Sequence, residues 1–360
     1  MESKGESKTV AVIFGGFSPE YTVSLKSAHS IINAIDRDKY EVVLIGITNG
    51  GHWYRYYGPA GDIPSDNWHT DKTRLRKAFI SPQRGGGLLE LAEGIPTEVP
   101  VDVVFPVLHG RYGEDGTIQG LCELSGIPVV GADSAASALC MDKKRANKLV
   151  ALAGVSVPKS VCFEFAPEEE ELFSGVSELK FPVFVKPVRG GSSIGVTKVE
   201  NVADIPEAVR LARRYDDAVI IEEGLEGIEI GCAVVGNRDL STGRVDEIEV
   251  ASGFFDYEEK YSLKTSKIYV PARIDGETES RIQEAAKTVY RALGCRGYAR
   301  IDMYLSKAGQ IFFLEANTIP GFTPFSQFPR MMKAVGVEYP ELVDTLIGLA
   351  LSVEKGEWYG

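Results

Sequence analysis

The sequence predicts an α/β protein built from three units. Its 360 residues exceed twice the usual domain of roughly 150. Short apolar runs alternate with stretches of helical spacing, and glycine-rich breaks close several of those runs, the pattern of strands joined by helices.

Residues 9–14 (TVAVIF) are an unbroken apolar run ending at Gly15-Gly16, as expected of a strand buried on both faces. Val23, Ala28, Ile31, Ile32 and Ile35 then recur at helical spacing, and residues 41–48 (EVVLIGIT) supply a second strand. The chain therefore opens as βαβ. Residues 50–98 read as irregular, with aromatics at Trp53, Tyr54, Tyr56 and Tyr57 and a Gly85-Gly86-Gly87 break. A strand in VDVVFPVL, a helix from Thr117 and a short strand over 128–130 complete the first unit, 1–131. The second unit, 132–225, begins with a helix over 135–153 that carries Lys143. It continues through strands at 161–165 and 181–186, the loop RGGSSIG, a helix over 202–213 and a strand over 218–222. The third unit, 226–360, has strands at 228–235 and 244–250, a long polar loop over 253–271 and a helix over 279–293. The strands YARIDMYL and QIFFLEAN and a helix over 339–353 end it.

Composition excludes several classes. The chain is 44% hydrophobic and 25% charged, which rules out a mostly disordered or collagen-like polymer. With 39 basic and 51 acidic residues its formal charge is −12. An acidic chain without a basic run is a poor ligand for nucleic acid or an anionic membrane. The five cysteines contain no CxxC or zinc spacing, so reduced thiols in a cytoplasmic protein are expected. The opening MESKGESKTV lacks an apolar core, and no apolar stretch approaches the roughly 18 residues of a membrane span.

The strands flanking Lys307-Ala308-Gly309-Gln310 carry the strongest chemical signal. A tight hairpin turning at Ala308-Gly309 sets Asp302 opposite Glu315 and Arg300 opposite Asn317. Opposed residues and their i,i+2 neighbours share one face, so all four polar groups project together. Ile301, Met303, Leu305, Phe312 and Leu314 then occupy the other face. Opposed carboxylates repel unless a cation intervenes, and two carboxylates with an amide oxygen suit Mg²⁺. A solvated polar sheet face satisfies the same pattern, and spacing alone leaves both readings open.

Two further segments invite phosphate and nucleoside. Lys186 ends an apolar strand ahead of Gly190, Gly191, Ser192 and Ser193, offering N–H and hydroxyl donors for phosphate oxygens. The segment is neither GxxxxGK[ST] nor GxGxxG, so an ordinary glycine-rich turn remains the alternative. Glu222-Glu223-Gly224-Leu225 follows the apolar AVII, with Glu229 beyond. A strand-end backbone can pair with an adenine edge and a carboxylate can hold ribose hydroxyls, although an acidic surface loop would read identically. His109 follows a buried strand, where loops commonly carry ligands; its role is open on this evidence.

Taken in order, IFGGFSPEYTVSL, VLHGRYGEDGTIQG, SALCMDKKRANK, FVKPVRGGSSIGV, IIEEGLEGIE, DYEEKY, ARIDMYL and LEANTIPGFTPFS resemble the D-alanine–D-alanine ligases of the ATP-grasp superfamily, over nearly the whole chain. FFDYEEKYSLKTSKIYVPARID looks closest to the D-alanine–D-serine ligases of vancomycin resistance. The resemblance implies an ATP-grasp fold with nucleotide held between the central and C-terminal units. It places Lys143, Lys186 and the Gly190–Ser193 loop on ATP phosphates, Glu222, Glu223 and the Leu225 backbone near adenine, and Glu229 on the ribose. Asp302, Glu315 and Asn317 would hold two Mg²⁺, with Mn²⁺ as a substitute. Glu20, supported by Ser192 and Tyr261, would hold the ammonium of the first D-alanine, and His109 would line its pocket. Arg300 and the Gly321 N–H would form an oxyanion site, while Lys260 and Ser326 would receive the second substrate's carboxylate. The loop over 253–271 would be a lid, and the enzyme a homodimer.

Position 327 departs from the family pattern. Dipeptide ligases carry an apolar residue after the serine of that motif and resistance-type ligases an arginine, whereas this chain has Gln327. Tyr261 resembles the dipeptide formers, which disfavours D-lactate. D-alanine is the expected acceptor and D-serine the alternative. A different ATP-dependent amine ligase and a catalytically silent scaffold are the competing classes, and the intact Glu20, Arg300, Asp302, Glu315 and both lysines count against them.

Overall fold

The computed structural model describes residues 7–92, 94–191, 193–250 and 266–353. At its start the strand Lys8–Gly15 pairs in parallel with Tyr40–Ile47 on one side and Val103–Val107 on the other. The helix Tyr21–Ala34 forms the crossover, so the expected βαβ opening is present. Gly15 makes the turn into that helix at φ +87°, and a Cβ there would lie 2.0 Å from the Ile47 carbonyl oxygen. Only glycine fits.

The segment expected to be irregular is ordered. Trp53–Tyr56, Leu75–Ile80, Leu88–Ala92 and Ile95–Val99 extend the first sheet antiparallel, giving seven strands. Each is short and buried on one face at most, so none carries the continuous apolar run that marks a central strand. Trp68 between them is 1% exposed, meets Phe14 edge-on at 5.1 Å and donates its indole N–H to the Tyr21 hydroxyl at 3.2 Å. A Cβ on Gly46 would sit 2.3 Å from that indole ring. Gly46→Ala should therefore destabilise the first unit by about 1–3 kcal/mol through overpacking, seen as a lower thermal midpoint. The expected strand over 128–130 is reduced to a single bridge, Val104 to Val129.

The second sheet has four antiparallel strands, ordered Thr197–Val199, Val183–Pro187, Val219–Glu223 and Ser160–Phe163. The expected helix over 135–153 is two helices, Ser134–Met141 and Lys143–Leu152. They break at extended Asp142, whose carboxylate accepts the Arg145 N–H at 2.9 Å. That cap makes Lys143 the first residue of a helix. The third sheet runs Ser266–Tyr269, Asp246–Val250, Gly227–Val235, Tyr298–Ser306, Ile311–Asn317, with Ser241–Thr242 beside Gly227–Val235.

One core joins the ends of the chain. Val10, Val12, Phe14 and Phe105 of the first sheet share a cluster with Tyr298, Phe322, Phe328 and Leu346. The last helix, Tyr339–Leu351, packs on Tyr21–Ala34, and Asp344 accepts hydrogen bonds from Lys39 Nζ at 2.7 Å and Tyr40 Oη at 3.0 Å. The first and third sheets are thus docked, and the loops at the carboxyl ends of the parallel strands face the third sheet. Among the described residues no helix is long and apolar enough to cross a membrane.

Candidate active site

The hairpin delivers the expected polar face by an unexpected route. Arg300 opposes Asn317 and Asp302 opposes Glu315, but Met303 pairs with Phe313 and Tyr304 with Phe312 because the register shifts after Asp302. A bulge at Leu314 accounts for the shift. Phe313, not Phe312, therefore enters the core at 1% exposure, and Leu314 lines the cleft beside Glu315. Phe312 and Leu314 thus do not share the face of Ile301, Met303 and Leu305 that an unbulged ladder would give them, because the extra residue turns this part of the strand over.

Arg300 donates Nε and Nη2 to the two Asp302 oxygens, both at 2.6 Å, and Asn317 Nδ2 adds a bond to Asp302 Oδ2 at 2.8 Å. Burial opposes the guanidinium charge, yet Asp302 outweighs it and raises the Arg300 pKa. Each carboxylate oxygen has two acceptor sites, so Asp302 keeps capacity for a cation. With Glu315 and the Asn317 amide oxygen it forms a hard, all-oxygen donor set suited to Mg²⁺.

One cleft lies between the second and third sheets, lined by Lys143, Lys186, Gly190, Gly191, Ser193, Glu229, Asp302 and Glu315. Lys186 donates to Glu222 Oε2 at 2.7 Å, and Asn147 Nδ2 donates to the other oxygen at 3.0 Å. Burial disfavours the Lys186 ammonium, but Glu222 more than compensates and its pKa is raised. Lys143 donates to the Gly190 carbonyl and lies 3.9 Å from Glu315 Oε2. Two cations and a glycine loop thus face two carboxylates.

A second cleft shares Glu229, Asp302 and Glu315 with the first and runs on past Glu20, His109, Arg300, Gly321, Ser326 and Gln327. Glu20 opens the helix Tyr21–Ala34. Its carboxylate lies where a Cβ on Gly110 would be 2.7 Å away and one on Gly191 3.6 Å away, so it bridges the first sheet and the glycine loop. Ser326 Oγ accepts the Thr323 N–H at 3.0 Å.

Residues 9–132 match the family model described as "D-ala D-ala ligase N-terminus", and 149–348 match "D-ala D-ala ligase C-terminus". The chain belongs to the D-alanine–D-alanine ligase family. It is 44% identical over 347 residues to vancomycin C-type resistance protein VanC2 of Enterococcus casseliflavus, covering 95% of this chain and 98% of that one. A putative D-alanine–D-lactate ligase of Streptomyces coelicolor is 45% identical over 349 residues, 95% and 97% of the two chains. The solved structure of VanG D-Ala:D-Ser ligase from Enterococcus faecalis is 52% identical with a TM-score of 0.90, covering 96% of this chain and 100% of that one. The ATP-grasp fold is that of these ligases.

Against this family frame, most expected site residues converge on the two clefts. Glu222 and Glu223 are not among the residues lining either cleft. The Glu222 carboxylate is taken by Lys186 and Asn147, and Glu223 Oε1 accepts the Lys180 N–H at 2.9 Å. Both carboxylates hold protein groups in this structure, and Leu225 follows in the loop after the strand Val219–Glu223. Ser192, Lys260, Tyr261 and residues 253–265 of the expected lid lie outside the described residues.

Two acidic residues went unread in the sequence. Asp246 is 0% exposed; its carboxylate accepts Gly231 N–H at 2.7 Å and Gln327 Nε2 at 2.9 Å. Burial pushes its pKa up to about 7, against the pull of Arg300. In RVDEIEV, where four of seven residues are charged, nothing local marks this aspartate as the buried one. Glu114, in GEDG, accepts the Gly110 N–H at 2.8 Å and the Ile319 N–H at 3.1 Å. Burial and then the Glu20 charge push it up to about 8.

Proposed function

We propose that this chain is an ADP-forming ligase that joins two D-amino acids through a D-alanyl phosphate, giving D-alanyl-D-alanine for peptidoglycan synthesis. The observation carrying this reading is the continuity of the clefts: Lys143, Lys186 and the glycine loop meet Glu20, Arg300 and Gly321 across Asp302 and Glu315.

The D-alanine carboxylate attacks the γ-phosphorus of ATP, forming the acyl phosphate and releasing ADP. The amine of the second D-amino acid then adds to that carbonyl, and inorganic phosphate leaves as the peptide bond forms. Lys143 and Lys186 spread charge on the transferring phosphoryl group. Glu20 holds the first ammonium, and Arg300 with the Gly321 N–H faces the oxyanion of the tetrahedral intermediate. Asp302, Glu315 and Asn317 would hold Mg²⁺, or Mn²⁺ in its place, which neutralises phosphate charge when bound. Glu222, Glu223 and the Leu225 backbone are assigned to adenine and Glu229 to the ribose. Acyl phosphates hydrolyse, so water must be kept out during the second step; the 253–271 lid, bringing in Lys260 and Tyr261, is assigned to that closure, Ser192 and Tyr261 to the support of Glu20, and Lys260 with Ser326 to the acceptor carboxylate. A cytoplasmic homodimer, divided at 131 and 225, completes the reading.

D-serine is the second reading for the acceptor, and Gln327 favours it. Asp246 takes the amide NH₂ of Gln327, which turns the amide oxygen away as an acceptor for a hydroxyl proton. Gln327→Leu should lower D-serine use relative to D-alanine by about 2- to 10-fold, the worth of a neutral hydrogen bond of about 0.5–1.5 kcal/mol. An unchanged product ratio in a mixed D-alanine/D-serine reaction would show that position 327 does not read the acceptor. The ligase reading itself is tested by ADP release with D-alanine alone and with D-serine, D-lactate or another amine added. No ADP above background with any D-amino acid removes it.

A further inference from the structure

Three polar side chains of the first unit grip the loop that carries Gly321. Ile319 is held at both ends of its peptide: its N–H donates to Glu114 Oε1 at 3.1 Å, and its carbonyl lies 2.8 Å from His109 Nδ1. A carbonyl only accepts, so His109 carries its proton on Nδ1. The other ring nitrogen, Nε2, lies 3.4 Å from Ser27 Oγ, and that hydroxyl accepts the Phe322 N–H at 3.2 Å. Glu114 Oε2 meanwhile accepts from Gly110, the residue after His109. The polarity closes without conflict. Phe322 donates to Ser27, Ser27 to His109, His109 to the Ile319 carbonyl, and the Ile319 N–H to Glu114.

We propose that Ser27, His109 and Glu114 are positioning residues that fix the Gly321 N–H, acting through the backbone bonds of Ile319 and Phe322 on either side of it. The inference rests on the ligase reading and deepens it. It makes the oxyanion site a property of two docked units: Arg300 comes from the third sheet, while the aim of Gly321 is set from loops and a helix of the first. His109 and Ser27 are 4% and 0% exposed, and with Glu114 they form part of the wall of the second cleft. Between Ile319 and Phe322 stand only Pro320, which has no N–H, and Gly321 itself. With both flanks bonded, little freedom is left to that peptide. A donor displaced by 1 Å can cost about a hundredfold in rate.

The experiment compares Glu114→Gln, Ser27→Ala and the double variant with the unaltered enzyme. Glutamine offers one acceptor oxygen where two N–H groups point, so one bond is lost. In Glu114→Gln, kcat should fall about 10- to 100-fold with the KM for ATP within about twofold. A phosphinate isostere of the D,D-dipeptide, whose tetrahedral centre carries the oxyanion, should bind more weakly by a similar factor, while Mg·ADP binds as before. Ser27→Ala should show a smaller loss of the same kind, and the double variant less than the product of the two, because both grip one loop. Unchanged phosphinate affinity in the variants, or losses shared equally by ATP and phosphinate, would overturn the proposal. Should Glu114→Gln fail to fold, Ser27→Ala decides by the same criterion. An unaltered enzyme that forms no dipeptide would refute the ligase reading instead, so the two failures are distinguishable.

Discussion

Glu315→Gln should lower kcat for dipeptide formation by about a thousandfold while leaving the stability of the ligand-free protein little changed. The two halves have one cause. Glu315 and Asp302 are directly opposed, and like charges in that position repel by roughly 0.2–1 kcal/mol on a sheet face. Asp302 is already answered by Arg300 and Asn317, and Lys143 stands 3.9 Å from Glu315. Replacing Glu315 with an amide of the same shape relieves the repulsion but also removes the carboxylate facing Lys143, whose side chain is 12% exposed, so the two effects offset. The all-oxygen donor set, however, drops from two carboxylates to one, and several kcal/mol of stabilisation at the transferring phosphate depends on it. Two measurements check this. Steady-state turnover reports the catalytic loss. The rise in thermal midpoint on adding Mg²⁺ with ADP, large in the unaltered protein through linkage, should shrink sharply in the variant. Near-normal turnover with an intact Mg·ADP shift would refute the metal assignment.

Legibility in the sequence followed burial and range. Residues 9–14 and 41–48 were readable because strands covered on both faces are apolar throughout. The antiparallel strands between Trp53 and Val99 were not, because one-sided, partly exposed strands dilute that signal. The hairpin shows how a correct pairing can rest on an incomplete ladder. The turn leads to Leu305–Ile311 and Met303–Phe313 pairs, and only the bulge at Leu314 brings Asp302 opposite Glu315. Nothing local in IFFLEAN announces that extra residue. Partners distant in sequence were hidden as well. The bond from Lys186 to Glu222, 36 positions away, is one. Glu114 and Asp246 acquire roles only through Ile319 and Gln327, 205 and 81 positions away. Such pairings are set by strand pairing within a sheet for Lys186 and Glu222 and by the docking of the first unit on the third for Glu114 and Ile319, neither of which a window of sequence contains.

Arg300→Lys should lower kcat by about 10²- to 10³-fold, the usual cost of removing one oxyanion donor, with the KM for ATP little changed. Arginine is needed here for geometry as much as for charge. Its planar fork spans both Asp302 oxygens at 2.6 Å, which fixes the guanidinium plane and orients the donor not engaged by Asp302. A lysine ammonium is a single flexible point that cannot match a carboxylate bidentately. It would still neutralise Asp302 and the fully buried Asp246, so the fold should survive. By contrast Arg300→Met would leave two buried carboxylates without their cation, a loss of about 3–5 kcal/mol by analogy with broken buried pairs. The comparison separates the two roles. If Arg300→Lys folds, binds Mg·ADP and releases ADP but forms dipeptide slowly, the guanidinium acts on the tetrahedral intermediate of the second step. If ADP release and dipeptide formation fall together with no change in stability, Arg300 serves phosphoryl transfer as much as peptide formation. If Arg300→Lys is fully active, charge alone suffices at this position and the oxyanion assignment fails.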